Sequence, residues 1–304
     1  MPGIGELAAL ATAVLWSFTG IQFTFAGRRV GSPAVNRMRL AIAVFYLSLA
    51  HLVLNGQWWP LDASRQQWFW LGLSGIVGLA IGDTFLFQAY VTIGPRRAAV
   101  IMTTVPVMST VLAWLWFGEV LSAAELLAMS LTLFGVAWVV SERRNNRSRV
   151  SFTGDEDRRV YLIGVLLALG GAAGQSLGLL LSKKGLEGGF PPLSATVIRM
   201  VVATAAIWLV TLLRGRAPAT IQALRDRRAL VLIAAGAFTG PFLGVWNSMI
   251  AVQNAPVGIA STLMSLSPVM LIPLSHYFFG ERVTSRAILG TLIALTGTAL
   301  IFLT

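Results

Sequence analysis

Residues 78–119 read GLAIGDTFLFQAYVTIGPRRAAVIMTTVPVMSTVLAWLWFGE, and residues 240–281 read GPFLGVWNSMIAVQNAPVGIASTLMSLSPVMLIPLSHYFFGE. A shift of 162 residues superimposes these two stretches without a gap. Matching leucines and alanines prove little, because both are common in membrane helices. Glycines, prolines and a Phe-Gly-Glu triplet in one register are hard to obtain by chance. The chain therefore contains an internal repeat, with Gly78 matching Gly240, Gly82 matching Gly244, Met102 matching Met264, Pro106 matching Pro268, Glu119 matching Glu281 and Gly135 matching Gly297.

The composition is that of a membrane protein. Hydrophobic residues make up 56% of the 304 residues and charged residues 12%, whereas about a quarter of the residues of a soluble domain are charged. A bilayer removes the need for polar surface, and about 20 apolar residues in a helix cross its core. The sequence predicts ten spans, at Ile4–Ala26, Pro33–Leu54, Gln67–Val91, Arg97–Phe117, Ala123–Ser141, Val160–Ser182, Pro191–Leu213, Arg228–Ala251, Val257–Phe279 and Thr284–Leu303.

Each copy of the repeat contains five predicted spans. Because five is odd and consecutive spans alternate in direction, the second copy must lie upside down relative to the first. Inverted repeats are a common construction of secondary transporters, which bind substrate near the middle of the membrane. We predict an all-α integral membrane protein with ten transmembrane helices in two inverted five-helix repeats, at residues 1–141 and 160–304, joined by a polar basic linker at 142–159.

The repeat also matches, more loosely, in its earlier spans. There Gly20 aligns with Gly174, and Arg39 aligns with Arg199. Glycines at four-residue spacing form small faces that let helices approach closely in lipid, and we interpret them as packing surfaces. These faces are Gly78 with Gly82, Gly240 with Gly244, and Gly170 with Gly174 and Gly178.

The net charge of +11 does not indicate a nucleic-acid partner, because the basic residues are scattered between hydrophobic runs. Lysine and arginine in loops favour the cytoplasmic side. The odd-numbered loops are rich in arginine, whereas the even-numbered loops hold Arg65, Lys183 and Lys184 and the termini hold none. We therefore predict cytoplasmic odd loops and periplasmic termini, in a multi-pass protein of the cell (inner) membrane.

Absent residue types limit the chemistry. The chain has no cysteine, which excludes disulfides and thiol catalysis. Its two histidines, His51 and His276, argue against a histidine-built metal site. No phosphate-binding glycine-rich lysine motif is present, so ATP is not the direct energy source. We expect no cofactor and no metal, and we interpret the first apolar run as a span rather than a signal peptide.

Several short motifs carry a family resemblance. The first repeat contains Leu15-Trp16-Ser17 and Asn36-Arg37-Met38-Arg39-Leu40-Ala41, then Pro106, Phe117-Gly118-Glu119 and Leu133-Phe134-Gly135-Val136. In order and spacing these resemble the EamA-type domain of the drug/metabolite transporter superfamily, present twice. The resemblance implies a ten-helix secondary transporter of the branch that exports amino acids or other small metabolites. It also implies a cavity lined mainly by helices one, three, four, six, eight and nine. Members are often drawn with cytoplasmic termini, which is the reverse of what the charges of this chain predict.

Asp83 is the only carboxylate deep inside a predicted span, where an unpaired charge costs roughly 2.5–3.5 kcal/mol or more. Two interpretations are open. Asp83 carries protons or binds a substrate ammonium group, or it forms a structural ion pair with Arg39 of the preceding span. Arg39 and Arg199 occupy equivalent places, and we interpret both as structural, with binding of a substrate carboxylate as the alternative.

Pro106 and Pro268 each remove a backbone donor and clash with the preceding turn, so the fourth and ninth helices should bend there. We predict that the two bends serve as hinges on either side of a central cavity. Adjacent hydroxyls can satisfy the freed carbonyls or present polar atoms to a substrate. Glu119 and Glu281 stand at helix ends before the predicted N-caps Ser122 and Thr284, and we interpret both glutamates as turn structure, with proton coupling as the alternative.

Polar and aromatic residues near the cavity complete the candidate site. A polar side chain that faces lipid is costly, so Gln175 and Asn247 should face protein or water. For Trp16 and Trp246, core packing is an equal alternative. The substrate-cavity candidates are Trp16, Gln22, Asp83, Gln88, Thr103, Thr104, Gln175, Trp246, Asn247, Ser265 and Ser267.

The leading functional interpretation is a secondary transporter that exports amino acids or similar small metabolites by alternating access. A membrane-embedded enzyme would need a clustered acid, base or nucleophile, and we expect no enzymatic activity. A passive channel usually has symmetric pore rings. The expected partners are a small-molecule substrate and the lipid bilayer, without nucleic acid, and the sequence is compatible with a monomer.

Overall fold

The computed structural model describes residues 3–141, 155–279 and 284–303. Ten of its helices are long and apolar enough to cross a membrane, which confirms the predicted fold class. The predicted linker lies mostly outside the described residues, as does Glu281. The helices are α1 Ile4–Val30, α2 Ser32–Asn55, α3 Arg65–Thr92, α4 Pro95–Met102 with Val105–Phe117, α5 Ala123–Val140, α6 Asp155–Gly185, α7 Pro192–Leu213, α8 Arg227–Asn254, α9 Val257–Met264 with Ser267–Phe279, and α10 Ser285–Leu303.

Helix ends follow local chemistry. The first helix runs four residues past the predicted span to Val30, with Arg28 and Arg29 in its last turn, where positive charge faces the negative end of the helix dipole. The helix ends at Gly31, whose φ of 82° is readily adopted by glycine.

Both predicted N-caps are present. Ser122 forms a capping box with Glu125 at the start of α5, in which each residue satisfies a backbone N–H of the other. Thr284 Oγ1 accepts a hydrogen bond from the backbone N–H of Ala287 at 3.1 Å before α10. The two repeats therefore begin their last helices with the same device.

The helices α5 and α10 share an extensive contact, and it is reciprocal. A Cβ on Gly135 would collide with the backbone of Gly290 and Ala294. At the matching position, a Cβ on Gly297 would collide with Thr132 and with the carbonyl of Ala128. The shift of 162 residues relates each residue of one contact to its counterpart in the other, as a two-fold relation between the repeats requires.

Pairing of α3 with α6 corresponds to pairing of α8 with α1. A Cβ on Gly164 of α6 would meet Ile93, and a Cβ on Gly5 of α1 would meet Ala255, which matches Ile93. Gly5 of α1 is therefore equivalent to Gly164 of α6, and equivalent residues of these two helices are 159 positions apart in the sequence. The alignment of Gly20 with Gly174 is wrong, because a Cβ on Gly20 would meet no atom within 4 Å. Small residues are frequent in both helices, so composition alone did not fix the register.

Both α3 and α8 contain a π-helical segment near their middle, at Gly75–Gly82 and Phe238–Gly244. In a π-helix each N–H bonds to the carbonyl five residues earlier, a rare geometry that occurs frequently at functional sites. The N–H of Asp83 bonds to the carbonyl of Gly78 in this way. The equivalent bond in α8 starts from Val245. No pattern in the sequence predicted these segments.

The helices α4 and α9 are interrupted beside their matching prolines. We call the two parts α4a (Pro95–Met102) and α4b (Val105–Phe117), and likewise α9a (Val257–Met264) and α9b (Ser267–Phe279). Thr103 and Thr104 form a turn between α4a and α4b. Each proline follows the break in the first turn of the second part, where its missing N–H leaves no intrahelical bond unmade. The structure thus contains a break at both positions where the sequence predicted a bend.

Candidate functional site

Asp83 and Arg39 form an ion pair between α3 and α2. The Nη2 of Arg39 donates to the Oδ2 of Asp83, and the two side chains are 11% and 10% exposed. The Nε2 of Gln175 on α6 lies 3.4 Å from the other carboxylate oxygen. The Nε of Arg39 donates to the Oδ1 of Asn36 at 2.9 Å. The structural alternative for Asp83 is therefore formed in this conformation.

Aromatic rings complete the surroundings of this ion pair. The guanidinium carbon of Arg39 lies 5.8 Å from the ring centre of Phe23 and 5.2 Å from that of Phe87. Cations over aromatic faces are attracted by the ring quadrupole. Asp83 directly follows the π-helical segment of α3, so the backbone irregularity and the deep carboxylate coincide.

Arg199 of α7 occupies the place in the second repeat that Arg39 has in the first. Its Nη1 donates to the Sδ of Met249 at 2.8 Å, and Met249 matches Phe87, the ring beside Arg39. The residue is 3% exposed, and its Nε has no hydrogen-bond partner among the described residues. The equivalent arginines thus have different hydrogen-bond acceptors: Arg39 donates to a carboxylate, and Arg199 donates to a thioether.

A hydroxyl cluster joins α1 and α8. Thr239 Oγ1 donates to the Oε1 of Gln22 at 2.8 Å and lies 2.9 Å from the Oγ1 of Thr19. Nearby, a Cβ on Gly244 would lie 2.6 Å from the Nε1 of Trp16. Gln22 and Trp16 therefore both face α8.

The candidate hydroxyls beside the helix breaks bond to their own helices. Thr103 and Thr104 donate to the carbonyls of Val100 and Ile101, each at 2.7 Å. Ser265 donates to the carbonyl of Thr262 at 2.6 Å. These bonds satisfy carbonyls near the breaks, as expected for interrupted helices in lipid.

The remaining candidates are dispersed. Asn247 Nδ2 donates to the carbonyl of Leu243 in its own helix at 2.9 Å. Trp246 packs against Phe242 with ring centres 6.0 Å apart. Ser267 is half-buried at the start of α9b, and Gln88 is exposed. The structure thus brings together Asp83 with Gln175, and Gln22 with the neighbourhood of Trp16.

The two ends of the helix bundle differ. We call the side with the loops after α2, α4, α6 and α8 the even-loop face, and the opposite side the odd-loop face. At the even-loop face α4b packs against α9a over an extensive interface. All eight residues of α9a, from Val257 to Met264, are buried.

A glutamate joins three helices at this even-loop face. Glu119, after α4b, pairs with Lys183 of α6 and accepts the backbone N–H of Val257 at 2.9 Å. Nearby, the Nε2 of Gln253 donates to the carbonyl of Phe190 at 2.9 Å. Glu119 therefore holds separate helices together, whereas the sequence suggested only a local turn. The signal was present in Lys183, one of the few basic residues near the even-loop face.

At the odd-loop face the equivalent helices are less closely packed. The counterparts of α4b and α9a are α9b and α4a, and among the described residues these two have at most a marginal contact. Of the described side chains in α4a, 97–102, Ala98 is the buried one. Among the described residues, the interface between the repeats is therefore packed more closely at the even-loop face than at the odd-loop face.

Several residues that surround the candidate site were not predicted from the sequence. Thr19, Thr239, Met249, Phe23 and Phe87 are ordinary residues of membrane helices, and no local pattern marks them. The matched arginines were the usable signal. Phe87 lies beside Arg39 and Met249 lies beside Arg199, and these two neighbours are themselves related by the shift of 162 residues.

Comparisons with known proteins agree with this architecture. A solved structure described as "Crystal structure of protein" is similar to this chain with a TM-score of 0.79 and 17% sequence identity, over 99% of this chain and 96% of that one. This likeness concerns the fold alone. No curated protein matched. The profile of the EamA-like transporter family matches residues 3–141 and 162–303, one copy for each repeat. The chain belongs to the EamA-like transporter family, a membrane-transporter family of the drug/metabolite transporter superfamily.

Proposed function

We propose that this protein is a secondary transporter that exports amino acids or similar small metabolites across the cytoplasmic membrane by alternating access. The observation that carries the proposal is the unequal packing of two equivalent interfaces. The helices α4b and α9a pack closely at the even-loop face, and the described residues of their counterparts do not pack in this way at the odd-loop face. Two inverted repeats can exchange these arrangements, so that the closed face opens and the open face closes.

The same observation favours a transporter over a passive channel. A channel needs a continuous path that is open at both ends during conduction. Here the ion pair of Glu119 with Lys183 and the buried helix α9a block the even-loop face. Broken helices beside this interface supply places where the backbone can change direction without losing buried hydrogen bonds.

Orientation gives the direction of access. If the arginine-rich odd loops are cytoplasmic, the closely packed even-loop face is periplasmic and the more loosely packed face is cytoplasmic. Both termini are then periplasmic. A substrate to be exported would enter from the odd-loop face and reach the level of Asp83 and Gln175.

A single cysteine tests this orientation, because the chain has none of its own. We choose Asn146, which lies in the basic linker outside the described residues. Cysteine at this position should resist an impermeant thiol reagent in intact cells and react after permeabilisation. Ready labelling in intact cells would reverse the orientation.

Transport is tested with the purified protein in liposomes. Radiolabelled amino acids and other small metabolites are loaded inside, and their exchange is measured with and without a pH gradient. We expect exchange of at least one carboxylate-bearing solute, and no exchange in liposomes without protein. Accumulation driven by the pH gradient would identify proton coupling. Failure to move any solute in the panel would contradict the proposal.

A further inference from the structure

Three charges lie deep in the spans, and they do not balance. Asp83 is paired with Arg39, so this pair is neutral as a unit. Arg199 has no carboxylate, carbonyl or hydroxyl partner among the described residues. Asp83 attracts Arg199 electrostatically, but the hydrogen bonds of its carboxylate come from Arg39 and Gln175. Among the described residues, Arg199 is therefore a positive charge without a hydrogen-bonded counter-ion, on a residue that is 3% exposed.

A buried charge without a hydrogen-bonded counter-ion is costly, because water no longer solvates it. The thioether of Met249 is a weak acceptor and supplies little compensation. Charged residues inside spans are rare, and they usually pair with one another or mark a substrate pathway. In this conformation Arg199 does not form a hydrogen-bonded ion pair with any described residue.

The position of Arg199 is central. Its backbone carbonyl would collide with a Cβ on Gly75, and its Nη2 would lie 3.8 Å from a Cβ on Gly78. Both glycines belong to the π-helical segment of α3. Gly78 also packs against Gly178 of α6. The guanidinium therefore lies among α3, α7 and α8, next to the crossing of α3 with α6.

Arg199 also lies on the side that is closed. It is in the first part of α7, which begins at the even-loop face, whereas Arg39 and Asp83 lie in the half toward the odd-loop face. A solute that enters from the odd-loop face would pass the neutral pair first and then reach the guanidinium of Arg199. The closely packed interface of α4b with α9a would lie beyond Arg199.

We propose that Arg199 is the binding residue for the carboxylate group of the transported solute. The inference rests on the proposed function and names its substrate class: solutes with a carboxylate, and not cations without one. A carboxylate matches the planar donor fork of arginine. It would also supply the hydrogen-bonded counter-ion that Arg199 lacks.

Binding of matched ligands to the full-length purified protein tests this proposal. The probes are L-alanine, L-leucine and L-phenylalanine, the amide of each, and isopentylamine, with sodium chloride as the inorganic-anion comparison. Unfolding midpoints and titrations of tryptophan fluorescence report binding. We expect at least one free acid to bind, and its amide to bind about 10- to 100-fold more weakly, the range of one charged hydrogen bond.

Variants identify the residue. Arg199→Met removes the charge and keeps an apolar side chain, which often leaves stability unchanged or raises it when the charge was buried. We expect this variant to fold and to bind acid and amide with equal, low affinity. Arg199→Lys should retain part of the preference for the acid. The matched control Arg37→Gln changes another arginine in a span, one that donates to Thr220 at 2.7 Å, and it should retain the full preference.

The outcomes separate this inference from the proposed function. Acid preference that is unchanged in folded Arg199→Met would overturn the assignment, as would equal binding of amides or of chloride to the unaltered protein. Transport of a solute without a carboxylate, unaffected by Arg199→Met, would overturn this inference and leave the transporter standing. No transport of any solute in liposomes would overturn both.

Discussion

At the scale of single residues, Asp83 carries the sharpest question, because its charge is both paired and deep in the membrane. Asp83→Asn leaves Arg39 buried without its carboxylate, so we expect a loss of about 3–5 kcal/mol in the free energy of unfolding. The double variant Asp83→Asn with Arg39→Gln should recover most of this loss. Unfolding midpoints of the single and double variants measure both effects.

Transport by the double variant then decides whether the ion pair of Asp83 with Arg39 acts in transport. We propose that Asp83 also acts in transport through its charge, and we therefore expect the double variant to be folded but inactive in the liposome assay. Wild-type transport across pH in the double variant would leave the ion pair with a structural role only. The comparison keeps folding and function apart, which the single variant cannot do.

Asp226 supports a second prediction, outside the membrane. Its Oδ1 accepts the backbone N–H of Ala229 at 3.0 Å, and its Oδ2 accepts from Arg29 at 2.8 Å. The Ala229 hydrogen bond, then the bond from Arg29, lower the pKa of Asp226. Because the folded pKa lies below the unfolded one, this stabilisation is present above the ordinary pKa of about 3.9 and lost as the pH falls through the folded value.

We therefore expect Asp226→Ala to lower the unfolding midpoint at pH 7, and the difference from the unaltered protein to shrink below about pH 4. Asp62→Ala, a change at an exposed aspartate in the loop after α2, is the control and should have little effect at either pH. A difference for Asp226→Ala that persists unchanged into acid would contradict the assignment.

At this scale, important residues were easier to predict from the sequence than the partners with which they interact. Asp83 and Arg39 were identified as a possible pair because both lie in one half of adjacent spans. The partners of Glu119 and Arg199 come from helices far away in the chain, and pairs at such separation leave no local pattern. Ser122 and Thr284 were predictable because a cap acts within three residues of itself.

At the scale of helices, the glycine crossing of α3 and α6 gives a matched experiment. A Cβ on Gly174 would lie 2.8 Å from the Cα of Gly82, whereas a Cβ on Gly20 would meet nothing within 4 Å. We expect Gly174→Ala to cost about 1–3 kcal/mol by overpacking. Gly20→Ala should be neutral or stabilising by up to about 1 kcal/mol. Equal effects in thermal unfolding would show that α3 and α6 are not in this contact.

The helix breaks lead to a prediction about motion. We expect Pro106→Ala and Pro268→Ala to slow transport several-fold while leaving the protein folded, because a restored N–H favours a continuous helix. Each change should also favour access from one face, since the prolines lie in oppositely oriented repeats. Initial rates of exchange, together with labelling of single cysteines near each face, measure both effects. Wild-type rates and labelling in both variants would remove the hinges from the transport cycle.

The sequence predicted these elements unequally. Hydropathy located all ten spans, since the lipid core imposes a minimum apolar length, and proline chemistry located both breaks. The π-helical segments were not predictable from local signals. Pro241 lies in one of them, but Leu79 stands at the matching position, so proline is not their shared cause. Their common feature is the close approach of another helix at Gly78 and Gly82 or at Gly240 and Gly244.

At the scale of the whole molecule, unequal packing of the two faces is directly testable by cysteine labelling. Residues 97–101 of α4a match residues 259–263 of α9a, all of which are buried. In single-cysteine variants, we expect positions in 97–101 that face water to react with a soluble thiol reagent. Every position in 259–263 should be protected in this conformation. Comparable labelling of the two sets would contradict the asymmetry.

The contact of α5 with α10 has a consequence for the history of the chain. The last helix of each repeat contains a glycine, Gly135 or Gly297, at which the last helix of the other repeat packs directly against the backbone. One repeat alone would present this surface to lipid, and only a copy inserted in the opposite direction fits it. The protein is thus organised as an antiparallel dimer on one polypeptide. A gene encoding a single five-helix unit, inserted in both directions and then duplicated and fused, would arrive at this arrangement with the interface already formed.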